Sequence, residues 1–160
     1  MDFFLSYQIR CRTIGVEYDQ RIYEAAVRNK KNAVSADRVE LVAAKAEGYY
    51  VPQEADRFYF FNPFSVELLQ KAFRRIRESR ESHKPCYESG YESGYGPGRS
   101  QVRQDGWIGR NRLFFFYYPS YEYVSWLMTV EDLMFLDEID CMDLFEGADR
   151  RERILVFEMI

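Results

Sequence analysis

Short runs of β-type residues alternate along this chain with stretches that repeat apolar side chains at helical spacing, and that alternation limits the folds open to it. Residues 2–10 read as the end of a helix, and Arg12 to Glu17, R-T-I-G-V-E, as a short strand. Asp19 stands where a helix N-cap belongs. The helix it opens runs to Asn29, with Ile22, Ala25, Ala26 and Val27 turned toward a core. Arg38 to Ala43 and Arg57 to Phe61 read as further strands, the second ended by Asn62-Pro63. Ser65 caps a longer helix whose apolar residues Leu68, Leu69, Ala72, Phe73 and Ile76 share one face. Arg112 to Tyr118 is a continuous apolar run, which suits a strand covered on both faces. Tyr121 to Met128 predicts a short helix, and Met134 to Cys141 and Glu152 to Met159 two closing strands. This order predicts an α/β fold with a mostly parallel sheet in a single domain, 1–160.

Residues 82–111 break the alternation. They hold a tandem repeat, Tyr87-Glu88-Ser89-Gly90 and Tyr91-Glu92-Ser93-Gly94, and six of the nine glycines. A four-residue glycine repeat cannot build a packed core, so the segment reads as a mobile insert in a loop. Charge is also uneven. Residues 71–112 carry ten basic and five acidic side chains, whereas residues 113–160 carry three basic and eleven acidic. Arg74, Arg75, Arg77 and Arg80 beside the tyrosine-rich insert offer one functional class, a single-strand nucleic-acid binder. The pI near 5.2 and the acidic last third argue against that partner.

Other classes are excluded more simply. The longest apolar run, Leu113 to Tyr118, is far below the roughly 18 residues of a membrane span. The opening Met1-Asp2-Phe3-Phe4-Leu5 lacks the basic start of a signal peptide, so a soluble cytoplasmic protein with no membrane partner is expected. Cys11, Cys86 and Cys141 are far apart and form no CxxC pair, which speaks against a zinc site or a disulfide framework. His83 is the sole histidine and lies in a polar stretch, so it reads as solvated and no metal site is expected.

Two strand ends carry side chains suited to ligand chemistry, because open α/β sheets bind ligands at the carboxyl ends of their strands. Glu17 ends the first strand, where a carboxylate can accept hydrogen bonds from both hydroxyls of a ribose. Asn62-Pro63-Phe64 ends the third, where a rigid turn presents an amide and a carbonyl. The bland alternatives are a solvated acid, an ordinary turn, and Phe64 packed under the following helix.

Taken in order, these strings resemble the class I S-adenosylmethionine-dependent methyltransferases. I-G-V-E-Y-D with I-Y-E-A-A-V-R-N is similar to that family's second strand and helix, and V-E-L-V-A-A-K-A-E to its third strand. F-Y-F-F-N-P-F-S resembles the fourth strand with its motif IV, L-F-F-F-Y-Y-P-S the fifth, and M-F-L-D-E-I-D with R-E-R-I-L-V-F-E the terminal hairpin. The resemblance covers residues 1–81 and 112–160. It implies a Rossmann-like sheet, mostly parallel, closed by an antiparallel hairpin, and S-adenosylmethionine as cofactor. It also implies that Glu17 holds the cofactor ribose, with Tyr18, Ala46 and Glu47 on the adenine side. Asn62, Pro63 and Phe64 would then face the methyl-transfer crevice and an acceptor of unknown identity.

The family's glycine-rich first loop has no counterpart here, and Lys45 stands where the family places an adenine-binding acid. An N-terminally truncated domain with weak cofactor binding and weak or no activity is therefore expected. A non-catalytic binding or scaffold protein derived from the same fold is the rival. In the family's order the missing strand lies between the strand ending in Glu17 and the strand ending in Asn62. Either those two pair directly, or both stay open as edges and the chain self-associates.

Overall fold

The computed structural model describes residues 1–61, 65–81, 112–144, 147 and 152–160. They fall into two compact units, Met1–Val51 with Glu67–Glu78, and Pro52–Val66 with Ser79–Ile160. The expected insert at 82–111 lies outside the described residues, as do Asn62, Pro63 and Phe64.

The first unit opens with α1 (Asp2–Ile9), β1 (Thr13–Glu17), α2 (Gln20–Lys30) and β2 (Val39–Ala43). α1 stops at Arg10, which adopts a left-handed φ of 53°. Two buried serines fasten α1 to the segments that lead into β1 and β2. Ser6 donates to the Cys11 carbonyl at 2.8 Å and Ser35 to the Phe3 carbonyl at 3.0 Å. β1 and β2 pair in parallel, from Thr13 opposite Val39 to Glu17 opposite Ala43. Gly15 admits the Asp2 side chain, since a Cβ there would lie 2.7 Å from its carboxylate oxygen.

Asp19 caps α2 as expected, accepting from the Arg21 N–H at 2.8 Å. The core face of α2 differs from the reading of the sequence. Ile22 is 57% exposed, and no residue of this helix is fully buried. Ile22 lies in the first turn, three residues after the cap, while half-buried Tyr23, Ala25, Ala26 and Val27 carry the inner face.

α3 (Val66–Glu81) gives Glu67–Glu78 to the same unit. Leu69, Ala72, Phe73 and Ile76 are buried at i, i+3, i+4 and i+7, the stripe that makes this stretch helical. Two of its arginines are engaged within the unit. Arg75 donates to the Glu47 carbonyl at 3.0 Å and pairs with Glu78 at 3.0 Å, and Arg77 lies over the Phe73 ring.

The second unit holds β3 (Arg57–Phe61), β4 (Arg112–Tyr117), α4 (Tyr121–Leu127), β5 (Leu133–Asp140) and β6 (Arg153–Met159). Their sheet order is β3-β4-β6-β5. β3 and β4 run parallel, and β6 runs antiparallel to both β4 and β5. Rings meet in register across the parallel pair: Phe58 on Phe114, Phe60 on Phe116 and Phe61 on Tyr117, each stacked at 5.0–5.3 Å.

β4 alternates where a strand covered on both faces was expected. Arg112, Phe114 and Phe116 are buried, whereas Leu113, Phe115 and Tyr117 are half-buried. Arg112 sits on the buried face at 4% exposure, held by the Ser79 hydroxyl at 2.9 Å and the Gln53 carbonyl at 3.3 Å, with the Phe58 ring beneath it. Loss of water pulls its basicity down, with the positive Arg80 nearby adding to the effect.

The strands form two hydrogen-bonded sheets, of two and four strands. Two of the described pairings are parallel and two antiparallel. β1 has β2 as its sole described strand partner and β3 has β4. Among the described residues no helix is long and apolar enough to cross a membrane.

Candidate functional site

The parallel pair β1–β2 brings four of the sequence-selected residues to one end. Glu17 is the last residue of β1, opposite Ala43. Its carboxylate accepts the Asp19 N–H at 2.7 Å, and its carbonyl accepts the Ala44 N–H at 3.1 Å. The first bond fixes the turn into α2 and leaves the second carboxylate oxygen available as an acceptor. Asp19 beyond it is held at a pKa of about 2, mainly by the Arg21 guanidinium and backbone N–H that it accepts from.

Tyr18 is 70% exposed, and the Lys45 ammonium lies 5.3 Å from the centre of its ring. Ala46 and Glu47 begin a single 3-10 turn after β2 and are half-buried, and the Glu47 carbonyl is held by Arg75. A carboxylate at a strand end suits the paired hydroxyls of a ribose. Beside Glu17 the structure has a flat ring and a cationic side chain, where the resemblance implies an acid. Asn62, Pro63 and Phe64 lie outside the described residues, and β3 is described as far as Phe61.

The second unit presents groups that the sequence did not single out. Phe61 is 59% exposed and stacks on Tyr117 with an interplanar angle of 19°. The Tyr117 hydroxyl donates to a carboxylate oxygen of Glu152, a short contact across 35 residues of sequence. That bond, with burial adding, pushes the Tyr117 phenol up to about 12. The chain then turns through Tyr118 at a left-handed φ of 53°, with its N–H bonded to the Arg153 carbonyl at 3.0 Å. A bulky residue in that conformation is strained, and such strain gathers at binding and catalytic sites. Glu152 has no cationic partner among the described residues, because the neighbouring Arg153 is taken by Glu138 at 3.0 Å. The one legible hint was the dense run of rings in F-Y-F-F and L-F-F-F-Y-Y. Nothing local marked Glu152. Among the described residues no cluster of three metal-ligating side chains occurs.

The fold of these elements is similar to that of several solved proteins described as methyltransferases. The chain is similar to a candidate methyltransferase, yhhF, from Escherichia coli, with a TM-score of 0.55 at 10% identity over 93% of this chain. It is likewise similar to a candidate rRNA methylase from Clostridium thermocellum, with a TM-score of 0.55 at 14% identity, covering 92% of this chain and 72% of that one. A methyltransferase from Geobacter sulfurreducens matches with a TM-score of 0.50 at 13% identity, over 93% of this chain and 58% of that one. The chain spans 64% of the length of the Escherichia coli protein. No family model and no curated protein matches the sequence.

Proposed function

We propose that this chain is an S-adenosylmethionine-dependent methyltransferase-like domain. In this reading Glu17 holds the donor ribose, Tyr18, Ala46 and Glu47 border the adenine, and Asn62-Pro63-Phe64 faces the methyl acceptor. The observation that carries it is Glu17 at the carboxyl end of β1, its carboxylate fixed by Asp19, in a chain that shares the methyltransferase fold over nine-tenths of its length. The bound donor would supply an electrophilic methyl group. Transfer of that group depends on positioning more than on acid–base residues, which suits a site without histidine.

Calorimetric titration with S-adenosylhomocysteine tests the reading. Binding weaker than about 1 μM, roughly −8 kcal/mol, is expected, because Lys45 stands where the resemblance implies an adenine-binding acid. Tighter binding shows that the cofactor side has been underrated. No heat at about 1 mM, roughly −4 kcal/mol, removes the cofactor altogether. That last outcome supports the second reading, a non-catalytic binding protein on the same fold. The Lys45 ammonium over the ring where adenine would lie is the observation that favours it.

A further inference from the structure

We propose that the outer edge of β5 is a docking strand for another polypeptide, an extended segment in which lysine or arginine alternates with apolar residues. The inference stands apart from methyl transfer and uses the second unit alone. β5 closes one side of the four-stranded sheet, with β6 as its one described strand neighbour. Half of the backbone groups of such an antiparallel edge strand turn away from that neighbour. Its eight residues make an edge roughly 25 Å long. The sequence L-M-F-L-D-E-I-D has neither the proline nor the lysine that commonly blunts an open edge. A register shift leaves Leu136 without a residue opposite it in β6, so two straight runs flank a bulge. Met134, Phe135, Leu136 and Ile139 are each 42–44% exposed, and Met142 and Leu144 continue the apolar surface beyond the strand.

Charge decides the occupant. Residues 130–144 carry six acidic and no basic side chains. Arg153 pairs with Glu138 at 3.0 Å. Even with Arg150, Arg151 and Arg153 counted, residues 113–160 hold eleven acidic against three basic side chains. A second copy laid on this edge would bring the same acids against themselves, whereas a basic strand meets a complementary field. The backbone adds a specific exchange. The exposed Asp137 carboxylate accepts the Glu138 N–H at 2.8 Å, and Asp140 accepts the Met142 N–H at 2.8 Å. These acids guard the edge. An incoming strand can offer its own carbonyl to the Glu138 N–H only if the displaced Asp137 carboxylate finds a new partner, and a lysine on the same strand supplies one. An acidic or neutral strand has nothing to exchange. Main-chain pairing then gives the affinity, and the partner's apolar side chains cover Met134 and Ile139.

The probe is the peptide acetyl-Val-Lys-Val-Lys-Val-Lys-Val-amide, titrated into the whole chain and followed by calorimetry and amide exchange. One control carries glutamate in place of each lysine. The other is the lysine peptide N-methylated at alternate residues, which keeps the charge and loses half of its donors. The lysine peptide should bind and slow exchange in β5, and both controls should bind about tenfold more weakly or worse. Asp137→Asn with Asp140→Asn keeps an oxygen for the Glu138 and Met142 N–H groups, and so keeps the fold. It should weaken the lysine peptide about tenfold or more. Asp137→Asn alone serves if the pair unfolds. Four results overturn the proposal: no binding, either control binding as tightly, unchanged affinity in the variant, or protection gained in β1 or β3 in place of β5. Protection of β5 that rises with protein concentration and no peptide makes a second copy the occupant, and overturns the choice of a basic partner. Cofactor titration bears on none of these outcomes, since β5 and Glu17 belong to different units.

Discussion

Arg112 shows how one residue can be legible as a letter and illegible as a role. It counts as the first letter of an apolar run, yet it is a buried cation that holds Ser79 and the Gln53 carbonyl together. Arg112→Leu would leave both partners without that donor. A loss of about 2–4 kcal/mol is expected, read as a lower urea midpoint. Glu17 is the opposite case, a residue whose position the sequence did yield. Glu17→Gln should leave folding intact, since an amide oxygen can still accept from Asp19. It should weaken S-adenosylhomocysteine by about 1.5–3 kcal/mol, the scale of a hydrogen bond to a charged group. Unchanged affinity would take Glu17 out of the site. Tyr117 makes a prediction in pH. Its phenol is raised from 10.0 to about 12 in the folded chain, so the protonated form is the one that folding favours. Its contribution is complete below pH 10 and fades as pH rises through about 12. The stability gap between wild type and Tyr117→Phe should therefore narrow as the buffer is taken from neutral to strongly alkaline.

At the scale of elements, every described helix and long strand lies where the spacing of apolar residues put it. Periodicity is a local property, and α3 carries it almost undisturbed. What failed was facing. Ile22 points outward although α2 was found, and β4 buries one face although its letters are apolar on both. The pairing partner of a strand is set by residues tens of positions away, and no window of sequence contains it. The same reason hid the Tyr117–Glu152 contact. Pairing has a measurable consequence. β4 and β6 have a strand on each side, while β1, β2, β3 and β5 have one described strand neighbour each. Amide exchange should be slowest in β4 and β6 and clearly faster in β1. Equal protection in β1 and β4 would mean that β1 has acquired a second partner in solution.

For the whole molecule, those edges bear on solubility. Five-residue parallel strands such as β1, with one neighbour, offer backbone groups to other chains. Light scattering at increasing concentration should report self-association, and a monodisperse monomer would show that the edges are shielded. The segment at 84–110 is predicted to be dispensable for folding. Replacing it with a short Gly-Ser linker should leave thermal unfolding similar or slightly raised, because loop length costs only about 0.6 kcal/mol per doubling. A large loss of stability would show that its tyrosines pack on the domain.

The ladder of rings between β3 and β4 also bears on how the chain finds its fold. R-F-Y-F-F faces R-L-F-F-F-Y, so a slip of two residues would still lay ring on ring and keep the same faces inward. Burial alone thus distinguishes poorly between the native alignment and its slipped neighbours, and such near-degenerate pairings are kinetic traps. The polar contacts at the start of the ladder break the tie. The Arg112 guanidinium on the Gln53 carbonyl and the Leu113 N–H on the Asp56 carbonyl are made in one alignment only. They act as a proofreading step during collapse, and weakening them should show first as a slow or branched refolding phase, before any change in the final structure.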